Sequence, residues 1–333
     1  MAHRPAMAGG NMTEPVSRAA PAATWRDFLT LMKPRVMSLV VLTAVTGLVC
    51  ARPTLNPVLA AIAVLCIALG AGGSAALNMG YDGDIDGLMR RTRGRPVPSG
   101  RVRKADAMAL GVVLSLFSVG IMALAANFLA AGLLAFTIFF YAIVYTRWLK
   151  RRTAQNIVIG GLAGALPPAV GWAAASGAAP LQAWLLVAII FVWTPPHFWA
   201  LSLYTSEDYA RAGVPMMPVT AGAASTRRQI LAYSLVLAPL GLAPAFAGLG
   251  GLTFLGVAAI GGLGFVALAW RLARSHAGED GEARARDGTL YDVAAGARAA
   301  RNLFAYSILY LFALFTTLLA EHLLHAPSLT WGR

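Results

Sequence analysis

Nine apolar runs, at about 36–50, 57–79, 106–123, 127–146, 156–175, 181–203, 230–248, 251–270 and 303–323, govern what this chain can fold into. A helix that crosses the hydrocarbon core of a bilayer needs about 17–25 such residues, and it satisfies its own backbone hydrogen bonds where no water can. Charged residues make up 12 % of the chain, about half the fraction usual in a soluble domain. A soluble all-helical core would have to bury nearly every helix on all sides. The sequence therefore predicts an all-α polytopic membrane protein with nine transmembrane helices. The first run is short as drawn, but Phe28 to Met32 extend it, with Pro34 as a kink. Asn127 divides the third run from the fourth, and the turn Gly248-Leu249-Gly250-Gly251 divides the seventh from the eighth.

The net charge of +13 would point to nucleic acid in a soluble protein. Here the basic residues fall in alternate loops. Arg18, Arg26, Lys33 and Arg35 flank the first run, and seven follow the second, from Arg90 to Lys104. Arg147, Lys150, Arg151 and Arg152 follow the fourth, Arg211, Arg227 and Arg228 the sixth, and Arg271, Arg274, Arg284 and Arg286 the eighth. The odd-numbered connections hold one basic residue, Arg52. The positive-inside rule then places the N-terminus in the cytoplasm and the C-terminus in the periplasm of a bacterial inner membrane. No nucleic acid partner is expected. Residues 1–25 lack the apolar core of a cleavable signal and read as a disordered cytoplasmic tail before one transmembrane domain, 26–325. Cys50 and Cys66 lie at or in apolar runs and read as buried small hydrophobes.

Polar residues with chemical capability gather in the cytoplasmic loops, about 79–105 and 204–229. Asn78, Asp82 and Asp86 are spaced four apart at the end of the second run, so a continuing helix sets them on one face with Asp84 pointing away. Carboxylate oxygens at this spacing suit Mg²⁺, which commonly bridges a few carboxylates to substrate phosphates. Arg90, Arg93 and Arg95 could then hold phosphate oxygens in fork-like hydrogen bonds. The competing reading is a solvated helix end whose acids and arginines pair with one another. Arg101, Arg103 and Lys104 read as interfacial anchors.

A second locus closes the sixth run with Trp193-Thr194-Pro195-Pro196-His197-Phe198-Trp199 and continues through Glu207-Asp208-Tyr209 to Pro218. The proline pair should kink the helix and free carbonyls inside the membrane, where irregular backbone lines cavities. Of five histidines, His197 reads as the one inside a span. Its imidazole either takes part in function or makes a satisfied interhelical hydrogen bond. Glu207 and Asp208 could hold a second Mg²⁺. Between the loci, Tyr145 and Lys150 could reach a diphosphate or a reacting centre, and Tyr141 reads equally as an interfacial belt residue. The glycines at 160, 161 and 164 read as close helix packing.

The run 78–86 resembles the Asn-x3-Asp-x3-Asp motif of the UbiA-type intramembrane prenyltransferases. The stretches 81–96, 156–161, 193–199 and 207–218 are similar to the haem-farnesylating branch of that family, and the likeness runs from about Phe28 to Leu323. The resemblance implies nine helices around a central cavity and two cytoplasmic motifs. It also implies transfer of the farnesyl group of farnesyl diphosphate to a vinyl group of protohaem IX, with water added, giving haem O and diphosphate with Mg²⁺ as cofactor. The product would pass to haem A synthase or a haem–copper terminal oxidase pathway. On this reading the catalytic set is Asn78, Asp82, Asp86, Tyr145 and Lys150. Arg90, Arg93, Arg95 and Lys150 bind diphosphate, Asn78, Asp82, Asp86, Glu207 and Asp208 bind metal, and His197 binds or orients haem. Where most members carry further acids, this chain has His197 and Tyr204, which argues against a quinone-precursor acceptor and leaves a full second metal site open. An aromatic acceptor is the nearest alternative enzyme. A membrane transporter is the alternative of another class, although its charged groups usually lie near the midplane.

Overall fold

The computed structural model describes residues 22–51, 56–279, 293 and 295–329 of the 333-residue chain. Arg18, Arg52, Arg284, Arg286 and most of the expected N-terminal tail lie outside the described residues. The chain forms α1 (Trp25–Leu31), α2 (Pro34–Cys50), α3 (Pro57–Tyr81) and the short α4 (Gly83–Leu88). Next come α5 (Lys104–Ala125) and α6 (Phe128–Phe139), the latter running on as a π-helix (Phe140–Leu149). α7 (Asn156–Ala165), α8 (Pro167–Ser176) and α9 (Leu181–Tyr204) precede the short α10 (Ser206–Arg211) and α11 (Met217–Thr220). α12 (Gly222–Phe246), α13 (Leu252–Ala273) and α14 (Arg298–Leu323) complete the set.

Among the described residues, eight helical stretches are long and apolar enough to cross a membrane, or nine if α1 and α2, bent by 50°, count as one broken span. The bend falls at Lys33, the residue before Pro34, where the proline ring disfavours helical backbone. Asn127 divides α5 from α6 by capping the latter, its Oδ1 accepting from the Ala130 amide at 2.9 Å. The helix begun at Gly222 starts eight residues before the seventh apolar run, because a polar first two turns can lie outside the hydrocarbon layer. Pro195 and Pro196 sit within α9, which stays helical through both. The second proline pair acts differently: α7 ends at Ala165 and Pro167 opens α8, its missing N–H being one a helix start leaves unpaired anyway. His322 falls in the last turn of α14, so His197 is not the one histidine in a spanning helix.

The helices pack α3 on α5, α2 on α8, α12 on both α9 and α13, and α14 on α9 and α13. α8 and α9 are the most buried, and α2 meets α8 so closely that a Cβ on Gly171 would lie 2.1 Å from the Ala44 carbonyl oxygen. Cys50 and Cys66 are buried free thiols. Far from the acidic motif in sequence, Glu321 on α14 is buried and accepts from the amides of Gly251 (2.6 Å) and Phe254 (2.8 Å), capping the start of α13. The carboxylate thereby satisfies two amides that the start of α13 leaves unpaired.

Candidate functional site

α3 delivers Asn78 near its last turn and carries on, after a turn at Asp82, into α4. The amide of Asp82 donates to the Asn78 carbonyl at 2.9 Å and that of Asp86 to the Asp82 carbonyl at 2.8 Å, so helical spacing persists across the junction. Asn78, Asp82 and Asp86 are all buried, whereas Asp84 faces outward and takes a two-pronged contact from Arg151 at 2.7 Å on each oxygen. That guanidinium, 5.1 Å above the Tyr81 ring, holds the Asp84 carboxyl at about 2, below its usual value.

Each residue of the trio has its own basic partner. Lys33 Nζ donates to Asn78 Oδ1 at 2.7 Å, Lys150 pairs with Asp82 Oδ2, and Arg95 Nη1 donates to Asp86 Oδ2 at 2.7 Å. Asn78 Nδ2 donates onward to Asp82 Oδ2 at 2.7 Å and to Thr146 Oγ1 at 3.1 Å. The second carboxylate oxygen of Asp82 is buried with no hydrogen-bond partner, and Arg151 Nη2 stands 3.6 Å from it. Among the described residues no group of three or more His, Cys, Asp and Glu side chains is placed to hold a metal ion. The motif offers two carboxylates and one amide instead, a set that a hard cation can use when substrate oxygens complete its shell.

The π-helix shapes the opposite wall. Its i→i−5 bonds, such as Lys150 N to Tyr145 O at 2.9 Å, rotate side chains away from α-helical phase. Thr146 Oγ1 donates to the Tyr141 carbonyl at 2.8 Å and is thereby aimed at Asn78. Tyr145 stacks on Tyr141 with ring centroids 5.5 Å apart. It also presses on Gly160 of α7, where a Cβ would come within 2.2 Å of the ring. Gly160 thus seats the tyrosine and Gly161 admits Thr194 of α9, whereas a Cβ on Gly164 would meet open space, so close helix packing does not extend to that glycine.

The two cytoplasmic loops adjoin. Ile85 and Met89 share a small apolar cluster with Ile157, Tyr209, Ala212, Val214 and Met216, and the Arg90 amide lies 3.4 Å from Asp208 Oδ1. Asp208 pairs with Arg211 and Glu207 is exposed, so neither joins the inward trio. Arg90 and Arg93 are likewise exposed, unlike Arg95. Arg101, read as a plain anchor, instead ties the loop to α1 by donating to Asp27 Oδ1 at 2.8 Å and to the Gly94 carbonyl at 3.0 Å. Arg103 pairs with Asp106 in its own helix start. Sequence reasoning missed Lys33 and Thr146; the Lys-Pro step at a helix break is a local signal for the first, and the second has none.

His197 is buried on α9 between the rings of Trp193 (centroids 4.2 Å) and Phe304 (4.8 Å). Its Nδ1 lies 2.6 Å from Ser307 Oγ on α14. Ser307 Oγ donates to the Phe304 carbonyl at 2.6 Å, so it accepts from His197 Nδ1–H. The imidazole does make an interhelical hydrogen bond, and the tautomer this fixes leaves the Nε2 lone pair for another partner.

Residues 40–290 match the model of the UbiA prenyltransferase family. The chain is 66 % identical over 314 residues to the protoheme IX farnesyltransferase of Caulobacter vibrioides, covering 93 % of this chain and 94 % of that one. It is 58 % identical over 309 residues to the protoheme IX farnesyltransferase of Maricaulis maris, covering 93 % and 92 %. In fold it is similar to a UbiA homolog from Archaeoglobus fulgidus bound to GPP and Mg²⁺, with a TM-score of 0.61 at 16 % identity, covering 88 % of this chain and 99 % of the other. A UbiA homolog from Aeropyrum pernix gives 0.63 at 19 % identity, with 88 % and 98 % covered.

Proposed function

The chain belongs to the UbiA prenyltransferase family, and from that membership we propose that it transfers the farnesyl group of farnesyl diphosphate to a vinyl group of protohaem IX, with addition of water, giving haem O and diphosphate. It is an intramembrane prenyltransferase. The observation that carries the reaction class is the buried trio Asn78, Asp82 and Asp86 at the end of a spanning helix, each residue matched to a basic side chain. The acceptor rests on close relatives that match almost end to end.

Mg²⁺ fits the trio, because Asp82 Oδ1 is a buried acceptor without a hydrogen bond and the ion commonly takes one or two carboxylates beside substrate phosphates. When bound, it would screen the diphosphate and draw electrons from the bridging oxygen. Asn78, Asp82 and Asp86 would hold it. Asp208 and Glu207, across the shared apolar cluster, would hold a second ion only if Asp208 gave up its pair with Arg211. Lys150 and Arg95 stabilise the departing diphosphate, the electrostatic term that usually dominates such catalysis. Arg90 and Arg93 draw the anion in from the rim.

As the C1–O bond of the allylic diphosphate breaks, the vinyl π electrons form the new bond to C1. The cation left on the carbon next to the pyrrole ring takes water and releases a proton, which yields the hydroxyethylfarnesyl group. Tyr145, seated on Gly160 and stacked on Tyr141, offers a ring face to developing positive charge. The apolar interior holds the C15 tail and excludes water until the bond has formed. His197 orients haem or ligates its iron through Nε2. In the proposed topology nine spans set both motif loops and the N-terminus in the cytoplasm of a bacterial inner membrane and the C-terminus in the periplasm, as the loop charges favour. The haem O then passes to haem A synthase or a haem–copper oxidase pathway.

The detergent-purified chain, given haem B, farnesyl diphosphate and Mg²⁺, should yield haem O by mass. A prenylated 4-hydroxybenzoate in a parallel reaction, with no product on haem, would overturn the acceptor.

A further inference from the structure

Lys33 reaches the acidic trio from an unusual place. It is one of two non-glycine residues with positive φ among those described, at φ 53° and ψ 58°, and it sits at the 50° break between α1 and α2. L side chains rarely adopt that conformation. A glycine would do so freely, but it could not carry a charge. Strain of this kind at a helix break persists where the surrounding structure makes use of it. Here the break sends the ammonium across to Asn78 Oδ1 at 2.7 Å, 45 residues away in sequence.

That oxygen is the one a cation bound to the trio would take. With Nζ at 2.7 Å from it and a magnesium–oxygen distance of about 2.1 Å, the two positive charges would stand only about 3–5 Å apart, a repulsion that low dielectric magnifies. One of them must leave. Lysine is suited to do so, since its charge rides on a flexible four-carbon stem with three freely rotating donors. Resting on the proposed function, we propose that Lys33 is a third diphosphate-binding cation, held on Asn78 until substrate arrives and then handed from the amide oxygen to a phosphate oxygen. In the resting state Lys33, Lys150 and Arg95 act together as internal counter-ions for the buried motif. The metal alone competes with Lys33, whereas the metal with diphosphate recruits it.

The two halves of that statement carry opposite signs, which makes them testable on the full chain in detergent. Binding of Mn²⁺ alone and of inorganic diphosphate in saturating Mg²⁺ is measured by calorimetry for the native protein and Lys33→Met. The variant should bind Mn²⁺ alone several-fold tighter and diphosphate at least about tenfold more weakly, the scale of one lost charge-assisted hydrogen bond. Lys33→Arg should keep diphosphate affinity within about threefold, because the charge is retained. Lys33→Met with both affinities unchanged, or with both weakened while Lys33→Arg is weakened too, would overturn the proposal and leave Lys33 as a brace for Asn78. The underlying reading is checked separately by Asp82→Ala. If that variant binds Mn²⁺ as tightly as the native protein, the trio is not the metal site, whatever Lys33→Met does.

Discussion

Asp82 is fully buried, with Asn78 and Lys150 converging on one of its oxygens and Arg151 3.6 Å from the other. A buried carboxylate without such partners would be costly. The same convergence makes it the residue whose loss is most informative. Asp82→Ala should lower farnesyl transfer by at least ~10²-fold, the scale of removing one electrostatic contributor from a preorganised site. The protein should still insert and fold, since Lys150 is 14 % exposed and can turn to water. Turnover by mass-resolved assay together with thermal unfolding separates the two effects, and near-native transfer would sink the metal–diphosphate reading. The Asn78, Asp82 and Asp86 spacing was legible in the sequence because helical periodicity alone relates residues four apart. Lys33 and Thr146 were not, because each reaches Asn78 through a backbone departure, a left-handed residue in one case and a π-turn in the other.

At the level of elements, the apolar runs located the spanning helices well and their ends poorly. Asn127 and the turn at 248–251 divide helices as their residue types require. The π-helix was invisible, since ten residues of apolar sequence look alike at 3.6 or 4.4 residues per turn. The early start of α12 was hidden because a hydropathy run registers the membrane, not the helix. The junction of α3 and α4 carries a prediction about pH. Arg151 lowers the Asp84 carboxyl to about 2 from an ordinary 3.8, so the pair stabilises the folded form fully above pH 3.8 and loses that contribution as pH falls through about 2. The side chain of Asp84 is 62 % exposed, which keeps the effect near the ~0.5 kcal/mol of a solvated pair. Unfolding midpoints of native protein and Asp84→Asn should therefore differ by a small constant amount at neutral pH and converge below about pH 2. A gap that persists at the lowest pH would show that Asp84 acts by something other than its charge.

For the whole molecule, the bundle places a phosphate-suited end and an aromatic-lined histidine in one assembly, and α9 links them. That helix carries His197 in its membrane-embedded part and leads directly into α10 with Asp208. Loop charge could show which ends of the helices share a side, but no sequence rule pairs α9 with α14, and so the Ser307 contact could not be foreseen. That contact decides what His197 has to offer. Because Ser307 Oγ spends its own proton on the Phe304 carbonyl, it takes the Nδ1 proton and leaves Nε2 as the free lone pair, the arrangement usual for an imidazole that ligates a metal. Trp193 and Phe304 cover both ring faces, so the ring can meet haem only through its edge. If Nε2 ligates iron, His197→Ala should shift the haem absorption bands of the bound substrate and weaken its binding, and Ser307→Ala should give a smaller shift by freeing the tautomer. Imidazole added to His197→Ala should restore the native spectrum in part. An unchanged spectrum with intact haem binding would assign His197 to the α9–α14 contact alone and send the search for the iron's partner to the other walls of the bundle.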